Sequence, residues 1–419
     1  MKLGGGIRSI LTNGVLLAGS QWAEMLIRFG YLIAITRMLG PEDYAIWNYA
    51  LASYALVIGI TTLGFENVLY YAFGAEKQSS NKYVQAALFA RVFLALAGVL
   101  AFGTFAIASG DAAIQPALLL VAPAILFRSI AQLNRSVFVA TQVVRKSARY
   151  IVALRLLEAT LGVIALWSGA GLTTLLLIHV GTWGLECILS LVLTTRHLDL
   201  KLRLPERTAL YRLIQKGAPR AVIGAMAAWM TAAPILLYRY YSSDLGDLGQ
   251  LALCIQLVMM LVLAVRSFML ASIPILAQSE EKNDPRIAYY GAIAGGIALV
   301  VSAAAAIFLY VFGERLITTV MGADYALAGQ LIAPSMAIVA AQLFPVGFLQ
   351  LTVLRERYAP GILGGACGCL VVTIGFAVAA PSLTPGLAIQ IVALAWIARA
   401  LVILAFGRNV PPMEKSGTL

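Results

Sequence analysis

Long apolar runs broken by short polar turns make up most of this chain. A helix needs about 20 apolar residues to cross the hydrocarbon core of a bilayer. Runs of that kind lie at 10–36, 45–72, 83–108, 115–141, 150–168, 174–195, 218–242, 249–276, 288–312, 329–353, 361–380 and 386–406. The breaks carry turn chemistry, as in Leu39-Gly40-Pro41-Glu42-Asp43, Ser109-Gly110-Asp111 and Ser382-Leu383-Thr384-Pro385-Gly386. The first run is too long for a signal peptide and reads as a retained helix. The pattern predicts an all-α polytopic membrane protein with twelve transmembrane helices.

The longest connection, near 196–217, falls at the midpoint and leaves six runs on each side. The predicted organisation is an N-lobe over 1–200, a basic linker over 201–217 and a C-lobe over 218–419. Both lobes begin on the same side of the membrane. Any repeat between them is therefore parallel, with a pseudo-two-fold axis along the membrane normal. The linker interleaves basic residues with Leu198, Leu200, Leu202 and Leu204, which suits an interfacial segment or a solvated loop.

Composition narrows the class. The chain is 61% hydrophobic and 12% charged, against about half and a quarter for a soluble domain. A soluble enzyme and a nucleic-acid-binding protein are excluded. The net charge of +11 then needs another explanation, and topology supplies it. With the N-terminus inside, 20 of the 30 Lys and Arg fall on inner loops, and only Arg37, Arg239 and Arg315 fall outside. That asymmetry follows the positive-inside rule and puts both termini in the cytoplasm. The connections leave no room for a catalytic domain. Cys187, Cys254, Cys367 and Cys369 all sit in apolar runs and read as small core residues. Neither a metal site nor a cofactor is expected.

Charges inside the spans carry the candidate chemistry, because an ionisable group at bilayer depth costs at least a few kcal/mol. The embedded set is seven arginines and four glutamates, without lysine. Arginine stays charged and offers a planar fork that grips phosphate or carboxylate through two bonds. Arg128 and Arg135 lie two turns apart on one helix face, and Asn134 sits beside the second. They suggest a water-filled cavity for an anionic group, with Arg28, Arg91, Arg266 and Arg399 as further cavity candidates. The competing reading is internal pairing, of Arg128 and Arg135 with Glu24, Glu66 or Glu186, of Glu24 with Arg28, and of Arg155 with Glu158. Glu24 and Glu66 are also candidates for binding a coupling cation, H⁺ or Na⁺. His179 stands alone in an apolar run and reads as a packed core histidine. Prolines within spans, among them Pro123, Pro219, Pro234, Pro334 and Pro345, read as static kinks or as bending points.

Three loop phrases carry a family resemblance. They are Thr36-Arg37-Met38-Leu39-Gly40-Pro41-Glu42-Asp43-Tyr44, Phe312-Gly313-Glu314-Arg315 and Met321-Gly322-Ala323-Asp324-Tyr325. With the twelve spans, they make the chain resemble the O-antigen-type (Wzx-like) polysaccharide flippases of the multidrug/oligosaccharidyl-lipid/polysaccharide (MOP) exporter superfamily. The resemblance implies two six-helix lobes around a central cavity, rocking to expose it to either side of the bacterial inner membrane. It implies an undecaprenyl-diphosphate-linked oligosaccharide as substrate, for O-antigen or lipopolysaccharide biosynthesis, and transport driven by cation exchange. The expected state is a monomer in the bilayer, with glycan assembly enzymes as candidate partners. Two alternatives stand beside it: a cation-coupled multidrug antiporter of the same superfamily, and a polytopic glycan polymerase or ligase. The first should have a net acidic cavity, and the second a large outer loop with catalytic side chains.

Overall fold

The computed structural model describes residues 3–66, 68–69, 80–141, 143–200, 204–271, 287–355 and 357–407. Residues 201–203 of the expected linker lie outside the described residues, and so does the side chain of Arg266. The described chain is helical, without a strand among the described residues.

The first helix, α1 (Leu3–Thr61), is far too long for one crossing, and its sequence shows where it must break. Gly40 takes φ 77° and ψ 174°, a region open in practice only to glycine. Pro41 follows, at the first position of the second arm, where a missing N–H costs nothing. Eleven helices are long and apolar enough to cross a membrane, and the segment Gly19–Thr61 alone spans 43 residues. Its break at Gly40 makes it two crossings, so the expected twelve are present.

The remaining helices are α2 (Ser80–Ala108), α3 (Gln115–Ala140), α4 (Val144–Trp167), α5 (Leu172–Leu198), α6 (Arg207–Tyr241), α7 (Leu245–Ala271), α8 (Ile287–Met321), α9 (Ala326–Leu343), α10 (Val346–Leu354), α11 (Ala359–Ala379) and α12 (Pro385–Gly407). Helices α9 and α10 form one crossing interrupted before Val346, where Pro345 cannot donate a ladder hydrogen bond. Helix α6 begins at Arg207, within the segment expected to be linker. Its first turns are amphipathic: Ala209 and Leu213 are buried in a core cluster with Phe65, Val84 and Leu133, while Arg207 and Lys216 stay exposed. The chain forms two compact units, Met1–Ala228 and Trp229–Leu419, so the division falls inside α6.

In the first unit, α1 packs on α4, and α3 packs on both α2 and α5. Two close approaches set these positions. Gly162 of α4 lies directly against the Tyr31 ring of α1, where no Cβ fits without displacing it. Gly64, at φ +64°, ends the second arm of α1, and a Cβ there would stand 2.8 Å from the Gly217 carbonyl of α6. In the second unit, α8 packs on α9, α11 on α12, and α9 against α7 and α12. Gln250 of α7 ties down the α8–α9 corner: its amide donates to the Asp324 carbonyl and its oxygen accepts from the Ala328 N–H. Gly364 and Gly368 let α11 approach the α12 backbone at the Arg399 and Ala395 carbonyls, the small-residue contact that membrane helices favour. Phe93, Leu100, Ile164, Val300, Ile307 and Ile374 point outward. Such residues are at home against lipid chains.

Candidate functional site

Three helices of the first unit each carry a polar stripe at i, i+3/i+4, i+7 spacing, which puts the stripe on one helix face. On α1 it is Glu24, Arg28 and Tyr31. On α4 it is Arg155 and Glu158, with Gly162 continuing the same face against the Tyr31 ring. On α5 it is His179, Trp183 and Glu186. Helix α3 adds Arg128 and Arg135, two turns apart. The stripes converge on one charged cluster inside the unit.

Arg155 is the hub. Its Nη1 donates to Glu158 Oε2 and its Nη2 to Glu186 Oε2, with Glu24 Oε1 3.9 Å from its Nε. It is fully buried, as is Glu186. Arg135 is the second link: Nε and Nη2 lie 2.7 and 2.6 Å from Glu186 Oε1, and Nη1 lies 3.6 Å from Glu24 Oε2. Arg28 closes on Glu24 at 2.9 Å, one turn along the helix. Both intrahelical pairs expected from the sequence, Glu24–Arg28 and Arg155–Glu158, are formed. So is the Arg135–Glu186 pair. A buried pair is held by mutual need: removing one partner strands the other at a cost of about 3–5 kcal/mol.

Trp183 lies at the centre of the guanidinium groups. Arg155, Arg128 and Arg135 stand 4.0, 5.0 and 5.5 Å from its ring, within the range of cation–π attraction. The indole therefore packs between cations that would otherwise repel one another.

Arg128 differs from the other three arginines. It forms no ion pair among the described residues. Its Nη1 donates to the Tyr54 hydroxyl at 2.8 Å, and its plane lies 5.4 Å from the Tyr54 ring. Its Nε and the indole Nε1 of Trp183 are both buried donors without an acceptor among the described residues. The cluster holds three carboxylates (Glu24, Glu158, Glu186) against four guanidiniums, so Arg128 is the surplus cation. It is also partly accessible, as are Arg135 and Arg28, whereas Arg155 is not.

His179 bears out its sequence reading and adds to it. It is buried, as a core histidine should be, but both ring nitrogens are engaged. Nδ1 lies 2.6 Å from Glu158 Oε1 and Nε2 lies 2.7 Å from the Tyr54 hydroxyl. Tyr54 and His179 were not legible as site residues. The signal that would have found His179 is its place on one stripe with Trp183 and Glu186.

The other candidates lie apart from this cluster. Asn134 points about 100° away from Arg135 around the helix, and its amide donates to Ser190 on α5. Arg91 is completely buried beside Phe65 and donates to Glu66 at 3.2 Å, forming a separate pair. Arg399 belongs to the second unit and stacks on Trp396 of its own helix at 4.9 Å. No group of side chains suited to holding a metal ion occurs among the described residues.

Comparison with known proteins places this architecture. A family model described as polysaccharide biosynthesis protein matches residues 10–280. No curated protein matches by sequence. Among solved structures, the lipid II flippase MurJ in an inward closed conformation superposes with a TM-score of 0.72 at 12% identity, over 95% of this chain and 88% of that one. A eukaryotic MATE transporter superposes with a TM-score of 0.68 at 14% identity, over 97% and 96%. A MOP superfamily transporter from Pyrococcus furiosus, described as having a binding pocket of reverse polarity, gives 0.59 at 13% identity, over 94% of each chain. At these identities the likeness is one of fold: an all-α, multi-pass membrane architecture shared with those transporters.

Proposed function

The chain belongs to the polysaccharide biosynthesis protein family, and on that premise we propose that it flips an undecaprenyl-diphosphate-linked oligosaccharide across the bacterial inner membrane by alternating access. The observation that carries this reading is Arg128. It is a partly accessible guanidinium at bilayer depth, braced by Tyr54 and Trp183 and left without a carboxylate in a cluster with more cations than anions. A guanidinium in that setting has unspent donors suited to a diphosphate. Arg135 and Arg28, already paired but partly accessible, add positive field around it. A cationic drug would meet the wrong sign here, which weighs against the multidrug antiporter.

The test is Arg128→Ala in a strain that depends on this protein for surface glycan. Surface polysaccharide should disappear while the protein stays at its normal level in the membrane. Normal glycan output from that variant would remove Arg128 from the transport step.

A further inference from the structure

One group in the cluster has a use beyond neutralising its neighbours. The hydrogen bonds at His179 can be counted. Arg128 has only donors, so the Tyr54 oxygen accepts from it. Glu158 already accepts from Arg155 and presents its other oxygen to His179 Nδ1, so Nδ1 carries the hydrogen. The hydroxyl of Tyr54 then has one acceptor in reach, the free lone pair of Nε2, at 2.7 Å. The donors run in one direction, from Arg128 through Tyr54 and His179 to Glu158. That chain is complete with a neutral imidazole.

A proton arriving at Nε2 reverses one link. The imidazolium donates from both nitrogens, Nδ1 to Glu158 and Nε2 to the Tyr54 oxygen. The Tyr54 hydrogen must swing away, and its oxygen now faces two cationic donors, His179 and Arg128. Its hold on Arg128 weakens, and the guanidinium is freer to engage an anion. An anion that takes Arg128 in turn removes the competing donor from Tyr54 and adds a negative charge that favours the imidazolium.

We propose that His179 is a proton-binding site of this transporter, and that its proton and the anionic group held by Arg128 bind together, linked through Tyr54. The second half rests on the reading of Arg128 given above. The proton comes from water and resides on Nε2; no other bond is made or broken. The groups facing His179 favour such a role. Helix α1 contributes Tyr54 and the Trp47 ring at 5.6 Å, with Glu24 and Arg28 beyond. Helix α4 contributes Glu158 and Arg155, and α3 contributes Arg128. Its own helix contributes Trp183 at 6.3 Å and Glu186. Of the carboxylates, Glu24 is engaged by three guanidiniums and Glu66 by Arg91. Among the cluster's bases, the imidazole is the one whose acceptor atom meets a neutral hydroxyl, whereas Glu24, Glu158 and Glu186 each meet a guanidinium. Linkage is reciprocal, so anion affinity should rise as pH falls through the His179 titration, by about 5-fold or more.

The chain has two histidines, which makes a direct test practical. The full-length protein carrying His197→Gln, labelled with ¹⁵N-histidine and placed in lipid nanodiscs, isolates one imidazole. Its nitrogen shifts are followed over about pH 5 to 8, where an imidazole ordinarily titrates. A neutral Nδ1–H tautomer that converts to imidazolium is the expected result. A neutral Nε2–H tautomer, or a spectrum that does not change, would overturn the proposal.

The linkage is read by calorimetry with citronellyl-diphosphate-glucose, a diphosphate diester, in two buffers of different ionisation heat. Binding to wild type should take up part of a proton. Tyr54→Phe, which removes the hydroxyl shared by Arg128 and His179, should lose most of the proton uptake per anion bound, and His179→Gln should lose all of it. Undiminished uptake in His179→Gln would sink the linkage. Failure of the probe to bind wild type would remove the diphosphate reading and the linkage together. The imidazole titration would still be decided by its own spectrum.

Discussion

At the scale of single residues, the cluster separates arginines paired with carboxylates from Arg128, which pairs with none among the described residues. Arg135→Ala leaves Glu186 with Arg155 as its one guanidinium and Glu186→Gln leaves Arg135 with Glu24 at 3.6 Å, so each should lower stability, by up to about 3–5 kcal/mol, seen as a lower melting temperature in detergent. Arg128→Ala strands no carboxylate and should melt near wild type, which makes its loss of transport interpretable. Arg128→Lys should restore transport only in part, because an ammonium lacks the planar fork and stacks less well on Trp183. Full transport with lysine would mean that a point charge suffices. The sequence showed part of this division. Glu24–Arg28 and Arg155–Glu158 were legible because both partners sit on one helix, where spacing fixes their separation. Arg135–Glu186 was legible only as one of several options, and Glu158–His179–Tyr54 was not legible at all. Pairs between helices depend on how each helix is rotated about its axis, and that is set by contacts such as Gly162 against Tyr31.

At the scale of elements, the turns that separate crossings were plain in the sequence, and the helix ends were not. Gly40-Pro41 was readable as a break because the two residues restrict backbone geometry by themselves. The start of α6 was not, because half of its first ten residues are polar and its helical turns are held by burial of Ala209 and Leu213, with Leu210 packed on the same cluster. Gly40 and Gly64 both hold positive φ, so alanine at either should cost about 1–3 kcal/mol in backbone strain. Gly64→Ala should cost more than Gly40→Ala: a Cβ at Gly64 meets the Gly217 carbonyl, and one at Gly40 meets nothing within 4 Å. Gly30, inside a helical arm of α1 with the same open space around it, serves as the control. Gly30→Ala should be neutral or slightly stabilising, since alanine is the better helix former. Thermal melts of the three purified variants would rank them. Equal melting of Gly64→Ala and Gly30→Ala would contradict the close approach of α1 and α6.

At the scale of the whole molecule, the charged cluster lies wholly within the unit Met1–Ala228, and the family match runs over 10–280, covering most of that unit and only the beginning of the other. Fold and class were legible early because the bilayer imposes them: apolar runs of crossing length, positive charge on one side, and no space for a catalytic domain. Substrate chemistry is encoded far more sparsely, in a few side chains whose meaning depends on which partners they find. The sharpest test at this scale therefore follows the substrate. In a strain lacking this protein, lipid-linked repeat units should build up on the cytoplasmic face while surface glycan disappears. Wild-type protein should clear them, and Arg128→Ala should not. If precursors crossed normally and sensitivity to cationic drugs rose instead, the antiporter reading would take over. The surplus cation in the cluster would then need a different explanation, because a positive site of this kind repels the substrates such an exporter must bind.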